Sequence, residues 1–185
     1  MRIISGTARG TKLYTLDSLE TRPTLDRVKE SIFNIINQDI QDTVFLDLFS
    51  GSGAIGLEAV SRGARKAILC DNSKSAVDII NKNIEKTHLK DKITVYNFDF
   101  EKALYKVKQE NENPDYIYLD PPYKTDYVIK ALNLIIDLKI NTKDTQIIVE
   151  TDDREKLIKY IEENFEIIKE RKYGRAIILF LKYKN

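Results

Sequence analysis

Cysteine and histidine are nearly missing from this sequence of 185 residues, which contains only Cys70 and His88. One cysteine cannot form an internal disulfide, and one histidine does not favour a zinc or iron site built from His and Cys side chains. We therefore expect no bound metal. Cys70 falls inside an apolar run and is expected to be buried, whereas His88 follows a helical pattern and is expected to face solvent.

Long apolar runs are also missing, and none approaches the roughly 20 residues that cross a membrane. Residues 1–6 lack the apolar segment of an export signal, so we expect a cytoplasmic protein without a membrane partner. The four prolines and seven glycines form no linker, and the length suits one domain. We predict a monomer with one main domain over residues 21–185, preceded by a small hairpin extension over residues 1–20.

The small net charge of +1 hides an uneven distribution. Residues 1–30 carry six Lys or Arg against four Asp or Glu, and residues 154–185 carry nine against five, so the ends are basic and the centre is acidic. This pattern favours a polyanionic substrate bound by the two ends, although ordinary solvated surface charge explains it equally well. The candidate phosphate contacts are Arg2, Arg9, Lys12, Arg27, Lys29, Lys169, Arg171, Lys172 and Arg175.

Short β-rich runs alternate with helical patterns from residue 44 onward. Strands are predicted over residues 44–49, 67–70, 93–96, 116–119 and 147–150, each followed by a helix. Apolar strands separated by helices indicate a parallel sheet that is covered on both faces. The runs 165–173 and 176–183 are too close for a crossover helix, so they must pair antiparallel and place a reversed strand in the sheet.

The first 40 residues predict two further elements. Residues 2–13 read as two extended pieces around Gly6 and Gly10, which is typical of a hairpin. Thr24 is expected to cap a helix that runs to about residue 37. The apolar stripe of that helix consists of Leu25, Val28, Ile32, Ile35 and Ile36.

A glycine-rich loop follows the first predicted sheet strand and opens a helix. Its glycines Gly51, Gly53 and Gly56 allow a ligand to approach the backbone, and the helix start offers free N–H groups. Asp71 follows the second strand, where a carboxylate can accept ribose hydroxyls, and Asp99 is expected to end the third strand near an adenine amino group. These features predict an adenine nucleoside ligand.

The glycine pattern alone also fits a nicotinamide dinucleotide. Asp47 stands immediately before the loop, where the pyrophosphate of a dinucleotide would bring negative charge. S-adenosylmethionine has an ammonium group there instead. Asp47 therefore favours S-adenosylmethionine.

The tetrapeptide Asp120-Pro121-Pro122-Tyr123 leaves the carboxyl end of the fourth predicted strand. The two prolines stiffen the chain and aim the Asp120 carboxylate and the Pro121 carbonyl into the same crevice as the glycine loop. Two acceptors suit the two hydrogens of an exocyclic amine, whose lone pair would then face a sulfonium methyl group. Tyr123 offers a flat surface for a base turned out of its stack.

With the glycine loop and this tetrapeptide, the chain resembles the S-adenosylmethionine-dependent amino-group methyltransferases. Within them it is similar to the bacterial family that methylates N2 of one guanine in 16S ribosomal RNA. Two N-terminal motifs carry this closer resemblance: Arg2-Ile3-Ile4-Ser5-Gly6 with Arg9-Gly10-Thr11-Lys12-Leu13, and Arg22-Pro23-Thr24 with Asp26-Arg27-Val28-Lys29-Glu30. The resemblance implies an α/β, Rossmann-like methyltransferase fold with a seven-stranded, mostly parallel sheet and a reversed last strand. It implies the catalytic residues Asp120, Pro121, Pro122 and Tyr123. The cofactor-binding residues that it implies are Arg22, Pro23, Thr24, Asp47, Phe49, Gly51, Ser52, Gly53, Asp71, Asn72, Asp99 and Phe100.

The expected reaction is therefore methyl transfer from S-adenosylmethionine to guanine N2 in 16S ribosomal RNA, within a small-subunit particle. Adenine, cytosine and glutamine methyltransferases share the tetrapeptide, so an adenine-N6 methyltransferase acting on DNA or RNA remains an alternative. A non-catalytic RNA-binding assembly module that keeps the cofactor fold is a second alternative.

Overall fold

The structure, a computed structural model, describes residues 1–15, 22–36, 39–122 and 125–184, with only the backbone described over 22–25. These described residues contain six α-helices and seven β-strands, in the order α1 (Arg22–Ile36), β1 (Val44–Asp47), α2 (Ala54–Ser61), β2 (Lys66–Cys70), α3 (Lys74–Thr87), β3 (Ile93–Tyr96), α4 (Phe100–Gln109), β4 (Tyr116–Leu119), α5 (Tyr127–Asp137), β5 (Gln146–Thr151), α6 (Arg154–Asn164), β6 (Phe165–Tyr173) and β7 (Ala176–Tyr183). Within the described residues, no helix is both long and apolar enough to cross a membrane.

The strands form one seven-stranded sheet in the order β3-β2-β1-β4-β5-β7-β6. Strands β1 to β5 pair parallel, whereas β7 pairs antiparallel with both β5 and β6. The tight connection between β6 and β7 contains Gly174, whose φ of 60° suits glycine. The predicted parallel sheet with a reversed last strand is confirmed.

The two faces of the sheet bury separate apolar clusters. In β1, Phe45 packs in one cluster and Leu46 in the other, because successive side chains of a strand point to opposite faces. All four residues of β1 and of β4 are buried. Helices covering both faces account for the continuous apolar runs in the sequence.

The predicted N-terminal hairpin is present as a narrow turn. Arg2 and Lys12 form a single antiparallel bridge, and the Ile3 N–H donates to the Thr11 carbonyl at 3.0 Å. Ile3 is completely buried in the same cluster as Phe45. The described part of the extension, residues 1–15, thus contributes to the core of the sheet domain.

Helix α1 buries the predicted stripe at Val28, Ile32 and Ile36. The predicted cap at Thr24 is wrong, because the helix begins at Arg22 and Thr24 lies inside it. A proline is tolerated in the first helical turn, where its missing N–H is not needed, so Pro23 does not delay the start. The side chain of Leu25 lies outside the described residues.

Candidate active site

A cavity of about 850 Å³ opens at the carboxyl ends of the parallel strands. It joins the glycine loop after β1, the segments after β2 and β3, and the tetrapeptide after β4. The predicted site residues that line it are Asp47, Phe49, Gly51, Ser52, Asp71, Asn72, Asp99, Phe100, Asp120, Pro121 and Pro122. Gly53 is buried and does not line the cavity, and Tyr123 and the side chains of Arg22, Pro23 and Thr24 lie outside the described residues.

The glycine loop makes a tight turn into α2. The Gly53 N–H donates to the Ser50 carbonyl at 2.7 Å, and the Ser50 hydroxyl donates to the Asp47 carbonyl at 2.9 Å. Gly51 and Gly53 have φ angles of 53° and 76°, which few other residues adopt without strain. A side chain at Gly51 would meet no atom within 4 Å, so the backbone there lies open to a ligand.

Asp71 is fixed by the loop that it faces. One carboxylate oxygen accepts from the Gly51 N–H at 2.9 Å, and the other accepts from the Ser73 N–H at 2.9 Å. A carboxylate offers about four acceptor positions, so both oxygens keep capacity for a ligand hydroxyl. Asp71 is therefore oriented in advance at the cavity wall.

Asp99 belongs to a different secondary-structure element from the predicted one. The prediction that it ends the third strand is wrong, because β3 ends at Tyr96 and Asp99 is the N-cap of α4. Its Oδ1 accepts from the Lys102 N–H at 2.8 Å, and this hydrogen bond holds the pKa of the Asp99 carboxyl below its usual value. Asp99 nevertheless lines the cavity beside Phe100.

Asp47 is a buried carboxyl group at the base of the site, with 1% of its surface exposed. Burial, reinforced by the negative charge of Asp71, raises the pKa of Asp47 to about 7. The carboxylate form would be stabilised by a cation that entered the cavity. The site therefore favours a ligand with positive charge next to Asp47.

The tetrapeptide begins directly after β4. Pro121 is buried, Pro122 is exposed, and both line the cavity together with Asp120. Two residues that were not predicted also line the cavity, Tyr118 and Glu150. The Tyr118 hydroxyl donates to Oε2 of Glu150 at 2.6 Å. The available signal for Glu150 was an acid near the carboxyl end of an apolar strand, the same kind of position as Asp71 and Asp120.

An aromatic cluster forms another part of the wall. The rings of Phe49 and Tyr127 are nearly parallel, with centroids 6.3 Å apart, and Phe100 contacts both at 5.5 and 5.3 Å. Tyr127 is the first residue of α5 and was not predicted as a site residue. The cluster gives the cavity a flat apolar surface next to the predicted adenine position.

Asn83 connects the glycine loop to the N-terminal segment. Its amide nitrogen donates to the Ser52 carbonyl at 2.9 Å and to the Tyr14 carbonyl at 3.0 Å, and its oxygen accepts from the Tyr14 N–H at 2.8 Å. The side chain is completely buried. Thr15, the next residue, lines the cavity, so Asn83 also holds the chain at the edge of the site.

The basic candidates divide into two groups. Arg2, Arg9, Lys12, Arg27, Arg171, Lys172 and Arg175 are exposed, and Lys169 is half-buried. The prediction of Lys29 as a phosphate contact is wrong, because its side chain is 1% exposed and its Nζ lies 3.0 Å from Oε2 of Glu58. Burial lowers the pKa of Lys29, and the side chain is not accessible to a phosphate group on the surface.

The lone cysteine and histidine lie as predicted. Cys70 is completely buried in β2, and burial, with the charge of Asp47 as a smaller cause, raises the pKa of its thiol to about 12. His88 is exposed and ends α3 in a left-handed conformation with a φ of 58°. Neither side chain lines the cavity.

Residues 1–182 match the protein family described as Conserved hypothetical protein 95. The chain belongs to this family. Two named relatives are similar to the chain over most of their length. The chain is 38% identical over 82% of its length, and 83% of the relative's, to "Putative rRNA methyltransferase YlbH" of Bacillus subtilis. It is 34% identical over its full length, and 94% of the relative's, to "Ribosomal RNA small subunit methyltransferase D" of Haemophilus influenzae.

This member of the Conserved hypothetical protein 95 family also resembles solved structures of proteins titled as methyltransferases or methylases. The solved structure titled "Putative methyltransferase yhhF from Escherichia coli" superposes on this chain with a TM-score of 0.80. The superposition covers 100% of this chain and 98% of the other, at 28% identity. The predicted Rossmann-like methyltransferase fold is confirmed.

Proposed function

We propose that this chain transfers a methyl group from S-adenosylmethionine to the exocyclic N2 of a guanine in 16S ribosomal RNA. The observation that carries the proposal is that Asp120 and Pro121 line the same cavity as the glycine loop and Asp71. The relative named as a small-subunit ribosomal RNA methyltransferase supports the coarser part of the proposal, methylation of ribosomal RNA.

The side chains of the cavity suit each part of the cofactor. Asp71 and Asn72 would hold the ribose hydroxyls, and Asp99 with Phe100 would hold the adenine. The buried carboxyl of Asp47 would face the ammonium group, and Gly51 and Ser52 would lie against the cofactor where the loop is open. Arg22, Pro23 and Thr24 are proposed to cover its methionine end.

S-adenosylmethionine supplies a methyl group that its positive sulfur already activates. The task of the chain is therefore to orient the amine. Asp120 and the Pro121 carbonyl would each accept one N2 hydrogen, which draws the nitrogen lone pair out of conjugation with the ring and points it at the methyl carbon. The bound cofactor would leave the electrons of its C–S bond on sulfur, and Asp120, which already accepts from the amine, would take the proton that N2 releases when the new N–C bond forms.

The target base must leave its stack to reach this cavity. Tyr123 is proposed to stack on the base. The exposed basic residues of the N-terminal hairpin and of the β6–β7 hairpin are proposed to contact RNA phosphates, so binding should weaken as salt rises. We further propose that a partly assembled small-subunit particle is the preferred substrate.

The experiment measures transfer of labelled methyl groups into unmodified small subunits, protein-free 16S RNA and duplex DNA, with mass analysis of the nucleosides. N2-methylguanosine in the ribosomal substrates is expected. N6-methyladenine would instead assign the chain to the adenine methyltransferases. Equal rates on the particle and on free RNA would contradict the preference for the particle.

A variant pair tests the role of Asp120. Asp120→Ala should lower the rate by about 10²- to 10³-fold, the usual effect of removing one preorganised polar group, while cofactor binding persists. Asp126→Asn is the matched control, because Asp126 is an exposed carboxylate that pairs with Lys130 and does not itself line the cavity. An Asp120→Ala protein that methylates normally would contradict the proposed chemistry.

A further inference from the structure

Glu150 is a buried carboxyl group at the boundary between two cavities. It lies near the end of β5, next to β4 in the sheet, and is 5% exposed. It lines the main cavity and also a neighbouring one of about 390 Å³, and Pro121 and Pro122 line both as well. Pro121 therefore meets Glu150 at this boundary, and Asp120 lines the main cavity together with both.

We infer that Glu150 accepts a hydrogen bond from N1–H of the target guanine and so selects guanine over adenine. This inference rests on the proposed function and assigns the specificity of that same site.

Tyr118 fixes one side of the Glu150 carboxylate. Its hydroxyl donates to Oε2 at 2.6 Å, and the two residues belong to neighbouring strands. Burial, together with the charges of Glu150 and Asp120, raises the pKa of Tyr118 well above its usual value, so the hydroxyl stays a donor. A carboxylate has about four acceptor positions, so a ligand N–H can share Glu150 with the partners that Glu150 has in the protein.

The pattern of acceptors matches the guanine edge. On its N1 side, guanine presents two adjacent donors, N1–H and the N2 amine. Asp120, Pro121 and Glu150 all line the main cavity, and the two carboxylates and the Pro121 carbonyl are all acceptors. Adenine presents its N6 amine beside an N1 lone pair, which would face the Glu150 carboxylate without a hydrogen between them. A site built to accept a hydrogen bond rejects such a ligand strongly.

2-Aminopurine separates the two contacts, because it keeps the C2 amine of guanine and replaces N1–H with a lone pair. After the modified guanine has been located, particles are assembled with guanine or 2-aminopurine at that position. We expect the wild-type protein to prefer guanine by at least about 10²-fold in kcat/KM. Glu150→Gln should bring the preference close to parity, because the amide can accept from Tyr118 with its oxygen and donate to the N1 lone pair with its nitrogen.

Two further variants make the test specific. Tyr118→Phe keeps the carboxylate and removes its restraint, so the guanine preference should persist but fall by about tenfold, a typical effect of losing one hydrogen bond. Glu155→Gln, at a carboxylate with 87% exposure on α6, should leave the preference unchanged. Cofactor binding and melting temperature confirm that each variant is folded.

Each outcome of these measurements either supports or overturns the role of Glu150. A collapse of the guanine preference in Glu150→Gln alone, with guanine still methylated by the wild type, supports the inference. Equal losses on both substrates would show that Glu150 is structural and would overturn it, as would wild-type methylation of 2-aminopurine at the guanine rate. In both cases N2-methylguanosine formed by the wild type would leave the proposed function intact. Absence of that product, with cofactor bound, would overturn the proposed function and this inference together.

Discussion

Nζ of Lys29 lies 3.0 Å from Oε2 of Glu58, and the two side chains are 1% and 0% exposed. Glu58 also accepts from the N–H groups of Ile4 and Ser5, at 2.8 and 3.0 Å, and from Nε of Arg62 at 2.7 Å. One carboxylate in α2 thus binds α1 and the N-terminal hairpin. Buried charges are tolerated when such a set of partners replaces water.

Replacing Glu58 should destabilise the fold severely. Glu58→Gln leaves the Lys29 ammonium buried without its counter-ion, so we expect the free energy of unfolding to fall by about 3 kcal/mol or more. Urea denaturation measures this change. The double variant Lys29→Met/Glu58→Gln removes the unpaired charge and should recover part of the loss. A double variant no more stable than Glu58→Gln would contradict the role of the ion pair.

A matched pair of glycine substitutions tests how the hairpin packs on α2. Gly6 and Gly10 have similar φ angles of 83° and 86°, but a Cβ on Gly6 would lie 1.7 Å from the Ser61 carbonyl oxygen, whereas one on Gly10 would meet nothing within 4 Å. Both alanine variants incur backbone strain of about 1–2 kcal/mol. Only Gly6→Ala should also displace the hairpin, giving a clearly larger loss in thermal unfolding. Equal losses would show that the close approach is unimportant.

Asn83 should affect cofactor binding without touching the cofactor. Asn83→Ala removes three hydrogen bonds to the backbone of Ser52 and Tyr14, so we expect a destabilisation of about 2–3 kcal/mol and a cofactor Kd about tenfold higher. Calorimetric titration and urea denaturation measure the two effects. Asn81→Ala, at an exposed position of the same helix, is the control and should change stability by less than about 0.5 kcal/mol. An unchanged Kd in Asn83→Ala would show that Asn83 does not support cofactor binding by the glycine loop.

Cofactor affinity should depend on pH through Asp47. With a pKa of about 7, this carboxyl is largely protonated below neutral pH, and a bound ammonium group favours the ionised form. Affinity for S-adenosylmethionine should therefore fall by up to about tenfold per pH unit below pH 7 and level off just above it. Calorimetry across this range measures the slope, and Asp47→Asn should bind weakly with little slope. A flat wild-type profile would place the ammonium group elsewhere.

The same carboxyl sets the direction of a stability change in the unliganded protein. Between the ordinary value of 3.8 and about 7, the folded state holds the Asp47 proton more tightly than the unfolded state does. The contribution of Asp47 to the free energy of unfolding should accordingly fall as pH rises through that window. Comparing wild type with Asp47→Asn at each pH isolates this contribution from the other titrating groups.

Local sequence signals were sufficient for most of the sheet. The bounds of β3, β4, β6 and β7 agree with the predicted runs, because turn residues and loop lengths delimit each apolar run. The prediction that Asp99 ends the third strand was wrong. Capping of α4 depends on the backbone geometry after Tyr96, which the pattern of apolar residues in the sequence does not specify. Glycine and acid positions after the strands were predictable, because parallel topology brings strand ends to one edge.

Pairings between distant residues were not predictable in this way. Lys29 resembled a surface lysine, because its partner Glu58 lies 29 residues away in the sequence. The bond from Tyr118 to Glu150 joins residues 32 apart and depends on the order of β4 and β5. Such contacts follow from packing in three dimensions, whereas the periodicity of one element reports only its own exposed and buried faces.

The position of the antiparallel strand β7 affects how the chain folds during its synthesis. It lies between β5 and β6, so β5 has its second neighbour only after α6, β6 and finally β7 have been synthesised. Until then the apolar β5 is an open edge that can pair with another nascent chain. Strand β6 cannot protect it, because β6 joins the sheet only through β7. Protection from misassembly on the ribosome therefore arrives with residues 176–183.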